Sequence, residues 1–267
     1  MGPALAREAG HCAQCRTCPL KNGGPPKRRL SNGHCYGATF NSNCVLMSFP
    51  LDHEGVWCEV LRRPANGAPA LFLDRDGVVV EEVEYLCRAE DVFLIPAAET
   101  TIAMANAMDV AVIIVTNQSG IGRARYEWTH FAEVQREILA KLSVSGAFVD
   151  AVYAAPHHPD GRGKWRHADH PARKPNPGML TRAASELGID LARSWLIGDK
   201  CIDIVAARRA GLAGALHVLT GHGKRERASI PKQQPAAFEL RLGASIADAT
   251  YLLQRISTNR QVGADGR

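Results

Sequence analysis

The 267-residue sequence has no uninterrupted apolar stretch near the roughly 20 residues that a membrane-spanning helix needs. Its amino terminus lacks the charged-then-apolar layout of a secretory signal, which makes the cytoplasm the expected compartment and excludes a membrane partner. Excess charge of one sign is scarce: 32 Lys and Arg against 27 Asp and Glu leave a net +5 spread along the chain. That balance suits an anionic ligand but does not by itself argue for nucleic acid. No internal repeat of solenoid type occurs. Cysteine nearly vanishes after residue 58. Of the eight, Cys12, Cys15, Cys18, Cys35, Cys44 and Cys58 come first, and only Cys87 and Cys201 follow.

The early cysteines include Cys12-x-x-Cys15-x-x-Cys18, the close spacing of a metal or iron–sulfur cluster, with Cys35 or His34 available as a fourth ligand. The surrounding segment is rich in Gly, Pro, Asn and Arg and has almost no periodic apolar pattern, which favours disorder. Residues 1–46 are therefore expected to be a disordered extension, or to lie outside a natural product that begins at Met47. Residues 47–68 read as a lead-in, 69–257 as the folded domain and 258–267 as a tail.

From residue 69 apolar runs alternate with helical segments, the pattern of an α/β, Rossmann-like fold with a mostly parallel sheet and helices on both faces. The expected strands are Ala70 to Leu73, Val110 to Val115, Val149 to Ala154, Ser194 to Ile197 and Ala215 to Leu219. Expected helices run from Ala97 to Met108, Trp128 to Leu142, Gly178 to Leu187 and Ile202 to Ala210. Pro96, Gly188 and Gly211 supply start and stop signals. The strands are near-continuous in apolar residues, as strands covered on both faces should be. The Pro-, His- and Arg-rich stretch Ala155 to Asn176 is too long for a mere connector, and residues 222–237 read as a polar linker. Phe238 to Leu242 would add an edge strand, and Ile246 to Ile256 a closing helix.

Several of these strands end in residues suited to phosphoryl transfer. Asp74-Arg75-Asp76-Gly77 follows the first, and alternation along an extended chain lets both carboxylates face one ligand while Arg75 turns aside. Thr116-Asn117-Gln118-Ser119-Gly120 follows the second, with a hydroxyl, two amides and small residues able to cradle phosphate oxygens. Arg173-Lys174 brings two cations, stiffened by Pro175 and Pro177. Gly198-Asp199-Lys200-Cys201-Ile202-Asp203 places two acids four apart, able to hold Mg²⁺. Each motif alone reads equally as a turn, a solvated charge or a helix cap. Together, one carboxylate attacks phosphorus, Mg²⁺ offsets the repulsion between like charges, and the second carboxylate moves the proton.

These four motifs resemble those of the haloacid dehalogenase superfamily. With Pro156-His157-His158-Pro159 they resemble the branch that holds heptose-bisphosphate 7-phosphatases and histidinol-phosphatases. The resemblance spans about residues 69 to 224. It implies Asp74 as nucleophile, Asp76 as general acid/base and carbonyl ligand, and Mg²⁺ held by Asp74, Asp76 and Asp199. It also implies Thr116 and Lys174 as stabilisers of the phosphoryl group and Arg173 as the substrate-recognition cation. Asn117, Gln118, Ser119, Lys200, Glu82 and Tyr85 would line the substrate site. A small phosphorylated sugar, no large cap domain and a monomer are expected. Histidinol phosphate is the rival substrate. A nucleic-acid 3′-phosphatase ranks below it for want of a basic, aromatic-interleaved groove, and a metal-cluster or partner-binding protein comes from another class.

The family's structural zinc has Cys-x-His and Cys-x-Cys ligands in the long loop. Those positions read Ala155, His157, His170 and Ala172, and two methyl groups cannot complete a tetrahedral site. Zn²⁺ is therefore not expected, even with His158 or His167 recruited; prolines and contacts of Arg or Trp165 would hold the loop. Gly77-Val78-Val79-Val80 stands where the family has Gly-Thr-Ile-Asn, which removes two polar groups near the pocket.

Overall fold

The computed structural model describes residues 48–258. The cysteine-rich segment, Cys12, Cys15 and Cys18 included, lies outside them. Seven strands form one sheet: β1 (Trp57–Val60), β2 (Ala70–Leu73), β3 (Ala111–Asn117), β4 (Ala151–Ala155), β5 (Trp195–Gly198), β6 (Gly214–His217) and β7 (Glu239–Leu242). The helices are α1 (Ala98–Ala107), α2 (Ser119–Gly122), α3 (Trp128–Val144), α4 (Gly178–Leu187), α5 (Cys201–Arg209), α6 (Gly223–Glu226) and α7 (Thr250–Thr258). Among the described residues no helix is long and apolar enough to cross a membrane.

The strand order is β1-β4-β3-β2-β5-β6-β7, parallel except for β1, which runs antiparallel to β4. The chain builds outward from β2 through β3 to β4, then crosses back to set β5 on the other side of β2. Where the order reverses, connections leave in opposite directions and a crevice opens beyond the strand ends. Asp74 follows β2 and Asp199 follows β5, so both acids stand beside that switch point.

Successive side chains of each strand enter opposite cores. Leu71 and Leu73 pack with Val112, Ile114, Ile197 and the apolar faces of α1, α3 and α7. Ala70 and Phe72 pack with Ile113, Val115, Leu196 and the faces of α4 and α5. Phe131, Ile138 and Leu142 on α3 are fully buried, and each contributes about 1.5–3 kcal/mol relative to exposure. Val78, Val79 and Val80 are also fully buried in the first core, so this turn packs into the hydrophobic interior instead of facing the cleft with polar groups.

Expectation and structure differ at instructive places. The lead-in holds β1, whose half-exposed Trp-Cys-Glu-Val has too little pattern to reveal a strand. Pairing with β4 and packing of Trp57 on Trp128 and Phe131 make it one. α5 begins at Cys201, one residue early, because the Asp203 carboxylate reaches back to accept the Lys200 N–H at 3.0 Å and closes the first turn. The expected closing helix begins as a 3₁₀ turn over Ile246–Ala249 before α7. The 222–237 segment is no bare linker. α6 lies in it, the Arg227 guanidinium donates to the His217 and Gly243 carbonyls, and the His222 N–H reaches Asp199.

Candidate active site

Asp74, Asp199 and Asp203 are buried, with ligand oxygens all within 4.8 Å of one another. Lys174 lies between two of them, its Nζ 2.9 Å from Asp74 Oδ1 and 2.6 Å from Asp203 Oδ1, and donates to the Val115 carbonyl at 2.8 Å. Burial alone would lower the Lys174 pKa, but the two carboxylates reverse that and hold it above its ordinary value. Burial likewise favours neutral Asp74, yet Lys174 and Lys200 outweigh it and keep the carboxyl below its usual range. Asp74 is thus an anion at neutral pH. Its Oδ1 accepts the Arg75 N–H at 2.9 Å and faces Lys174, and the residue lines the cleft.

Asp199 is in the opposite condition. Its Oδ2 accepts the His222 N–H at 2.7 Å, whereas Oδ1 is buried without a hydrogen bond, 3.6 Å from Lys200 Nζ. Burial and then Asp74 push its pKa up to about 8. A Cβ on Gly77 would come 2.6 Å from Asp199 Oδ2, and one on Gly221 2.4 Å, so only glycines fit beside this carboxylate. A crowded trio offering oxygen donors alone, in which Asp199 keeps its proton up to about pH 8 until a cation takes its place, fits a hard divalent cation such as Mg²⁺. Asp203 is committed to Lys174 and the α5 cap, which leaves Asp74 and Asp199 as the side chains free to hold an ion.

Asp76 faces a different environment. Arg75 does turn aside from Asp74, but into protein: it is 1 % exposed, and its Nε and Nη2 donate to Asp76 Oδ1 at 3.1 and 3.0 Å. Gln118 Nε2 donates to Asp76 Oδ2 at 3.0 Å and to Thr116 Oγ1 at 2.7 Å, while its Oε1 accepts from Arg75 and from the Tyr126 hydroxyl. Gln118 therefore ties the acid/base candidate to the hydroxyl candidate. Asn117 exchanges two hydrogen bonds with the backbone of Lys174, at 2.9 and 3.0 Å, and so fixes the loop that carries the lysine. Both amides line the cleft, yet their hydrogen bonds are spent on the protein.

These residues floor a cleft of about 570 Å³. Glu82 and Lys200 line it, 3.3 Å apart, with His222 Nε2 3.5 Å from Glu82. Tyr85 lines it from a backbone at φ +58°. Two further guanidiniums stand in the lining. Arg173 donates to the His157 carbonyl at 2.8 Å, and burial followed by Arg123 lowers its pKa. Arg123 reaches Ser119 Oγ at 3.3 Å and lies over the Tyr85 ring at 5.3 Å, with its Nε buried and unpaired. Among the described residues neither meets a carboxylate. Every catalytic or substrate-binding candidate from the sequence lines this cleft, and of the expected Mg²⁺ ligands Asp74, Asp76 and Asp199 only the buried Asp199 is not in its lining. Arg75, Arg123, Tyr126 and His222 are the additions, while Asp203, read in the sequence as able to hold Mg²⁺ with Asp199, instead pairs with Lys174 and the Lys200 N–H.

In the long loop His157 and His170 stack face to face, centroids 3.4 Å apart and planes 4° from parallel, with His167 and Trp165 edge-on to His157.

Comparison with known proteins agrees with this geometry. Residues 171–241 match the HAD-hydrolase-like family model. A protein of Mesorhizobium japonicum named D-glycero-beta-D-manno-heptose-1,7-bisphosphate 7-phosphatase is 45% identical over 166 residues, 61% of this chain and 76% of that one. The chain belongs to the haloacid dehalogenase-like phosphatases. A Thermosynechococcus vestitus relative named D-glycero-D-manno-heptose-1,7-bisphosphate 7-phosphatase is 42% identical over 59% of this chain and 82% of its own. Among solved structures, an HAD-like phosphatase from Mesorhizobium loti superposes with TM-score 0.71 at 38% identity, covering 82% of this chain and all of that one. D,D-heptose 1,7-bisphosphate phosphatase from B. bronchiseptica, complexed with magnesium and phosphate, gives TM-score 0.61 at 31% identity, covering 70% of this phosphatase and 99% of its own chain. The chain is thus an enzyme of the phosphoric monoester hydrolase class, in an open, mostly parallel sheet of the expected kind.

Proposed function

We propose that this phosphatase removes the 7-phosphate of D-glycero-D-manno-heptose 1,7-bisphosphate with Mg²⁺, through a phosphoryl group carried transiently on Asp74. Asp74 Oδ2 attacks phosphorus. Lys174 and Thr116 hydrogen-bond the equatorial phosphoryl oxygens as charge shifts onto them. Asp76, held by Arg75 and Gln118, gives its proton to the leaving 7-alkoxide and later takes one from the water that cleaves the acyl phosphate. Asp74, Asp199 and the Asp76 carbonyl would hold Mg²⁺, whose charge removes the repulsion between carboxylate and phosphate dianion.

The observation that carries the substrate class is the pair Arg123 and Arg173. Two part-buried guanidiniums side by side without a carboxylate repel each other, and a second phosphate relieves that repulsion. A bisphosphate supplies it, as the names of the relatives suggest. Histidinol phosphate brings an amine to the same place and is disfavoured. Lys200 with Glu82, and Tyr85 with Ser119, would meet the sugar hydroxyls between the two phosphates.

Phosphate release from the two anomeric 1,7-bisphosphates, heptose 7-phosphate and histidinol phosphate, with and without Mg²⁺ and with Asp74→Asn as blank, tests this. Mg²⁺-dependent turnover strongest on a bisphosphate is expected. Faster turnover of histidinol phosphate would overturn the substrate assignment.

A further inference from the structure

An imidazole binds a metal along a nitrogen lone pair that lies in the ring plane, at about 2.0–2.1 Å for zinc. Two parallel rings 3.4 Å apart have no point common to both planes, so an ion bound by one is out of reach of the other. His170 is moreover engaged already. Its Nδ1 accepts the Ala172 N–H at 3.1 Å and its Nε2 lies 3.5 Å from the Glu54 carboxylate. With Ala155 and Ala172 at the positions where the family has cysteines, the donors present do not fit a structural zinc.

The same two residues carry the loop's hold on the cleft. The His157 carbonyl accepts from Arg173 Nη1 at 2.8 Å, and the His170 carbonyl accepts the Arg173 N–H at 2.9 Å and Asn176 Nδ2 at 3.2 Å. The other side of the stack is the turn before β1. There Gly55 lies so close to Trp165 that a Cβ would come 2.2 Å from its ring, and Glu54 and Asp52 present carboxylates to the imidazoles. We infer that the stacked His157–His170 pair, pinned between Glu54 and Trp165, replaces the metal as the clamp that positions Arg173, so that the substrate loop of this phosphatase works without zinc. Both histidines are positioning residues, acting through Arg173. The inference rests on the proposed phosphatase reading only where activity is measured.

The test combines metal analysis with kinetics on the full chain. Cys12→Ser, Cys15→Ser and Cys18→Ser are introduced together, so that zinc on those thiols is not counted. Zinc by mass spectrometry is expected to be far below one per chain, and a zinc-selective chelator is expected to leave the melting temperature and Mg²⁺-dependent turnover unchanged. His157→Ala should raise KM for the bisphosphate several-fold with kcat nearly constant, whereas His157→Phe, which keeps a stacking ring and no nitrogen, should restore KM. Stoichiometric zinc that disappears in His157→Ala would overturn the inference, as would an unchanged KM in His157→Ala or a KM in His157→Phe no better than in His157→Ala. If no phosphoester is turned over, the proposed function fails, and the zinc content and chelator melting arms still decide the clamp.

Discussion

Arg123 follows α2, and its guanidinium reaches the Ser119 hydroxyl and the Tyr85 face, with no carboxylate beside it among the described residues. Replacing it with Gln keeps a polar side chain of similar reach and removes one charge from the pair with Arg173. At about 4 Å and an effective dielectric near 20, a guanidinium and one phosphate charge attract by roughly 4 kcal/mol, part of which is lost to desolvation. Charge-assisted hydrogen bonds measured by mutation contribute about 1.5–3 kcal/mol. Taking about 2–3 kcal/mol, Arg123→Gln lowers kcat/KM for heptose 1,7-bisphosphate about 30- to 150-fold. The second phosphate is equally charged in ground and transition states, so the loss falls on KM rather than kcat. Phosphate release is measured on the 1,7-bisphosphate and on heptose 7-phosphate, which lacks the second anion. An equal fall on both substrates would refute the assignment, because it would mean that Arg123 serves the transferring phosphoryl group or the fold. Melting temperature separates those two outcomes, since relief of the Arg123–Arg173 repulsion should leave the variant at least as stable as its parent.

Lys174→Met abolishes detectable turnover and costs about 3–5 kcal/mol in urea unfolding, because Asp74 and Asp203 remain buried without their shared cation. Without divalent cation, Asp199→Asn leaves the melting temperature nearly unchanged at neutral pH, where Asp199 holds its proton, and raises it above about pH 8 by removing a crowded charge, whereas Asp203→Asn lowers it by weakening the α5 N-terminus and the Lys174 pair; a lower melting temperature for Asp199→Asn above about pH 8 would sink this reading of the trio. Stability should also fall in mild acid. Burial, then His170 and His167, lower His157 to about 4, opposed weakly by the Glu54 backbone and Asp52, against about 6.5 unfolded. The unfolded chain therefore binds more protons between those values, so the contribution is complete above about pH 6.5 and is lost as pH falls toward 4, by an amount of order 1–3 kcal/mol. Thermal melts of the parent and His157→Phe across that window check it, with the variant showing the flatter curve.

Asp74, Thr116, Lys174 and Asp199 were legible because apolar runs and helices punctuated by Pro and Gly bracket three of them with strands buried on both faces. α4 runs from Gly178 to Leu187 as read, because Pro177 and Gly188 mark both its ends. β1 was not legible: four residues with a glutamate in them become a strand only through β4, a partner about 90 residues on. Arg123 reads as one cation among several after a short turn, and its meaning comes from standing beside Arg173, which the sequence separates by 50 positions. The roles of Asn117 and Gln118 are hidden for a related reason. An amide after a strand is equally a ligand-binding group or a brace, and only the two bonds to Lys174 and the four to Arg75, Asp76, Thr116 and Tyr126 distinguish them. The histidine stack was visible as a departure from a zinc pattern but not as an arrangement.

The cleft divides into a floor with too much negative charge and a wall with too much positive charge. Asp74, Asp199 and Asp203 face Lys174 and Lys200, and Lys200 is shared with Glu82, so the floor lacks a cation. A third lysine would cure that at rest but not in catalysis, since an ammonium settled on Asp74 Oδ2 would occupy the atom that must reach phosphorus. A small divalent ion that keeps several exchangeable oxygen ligands compensates the carboxylates and still admits the phosphate. The wall cannot be cured from within either, because a glutamate between Arg123 and Arg173 would fill the place of a second phosphate. Both imbalances destabilise the free protein slightly, and both are removed together only when metal and a doubly phosphorylated substrate are bound. The proposed specificity for two phosphates thus rests on charges that the fold leaves unmatched, one deficit on the floor and one on the wall of the same cleft.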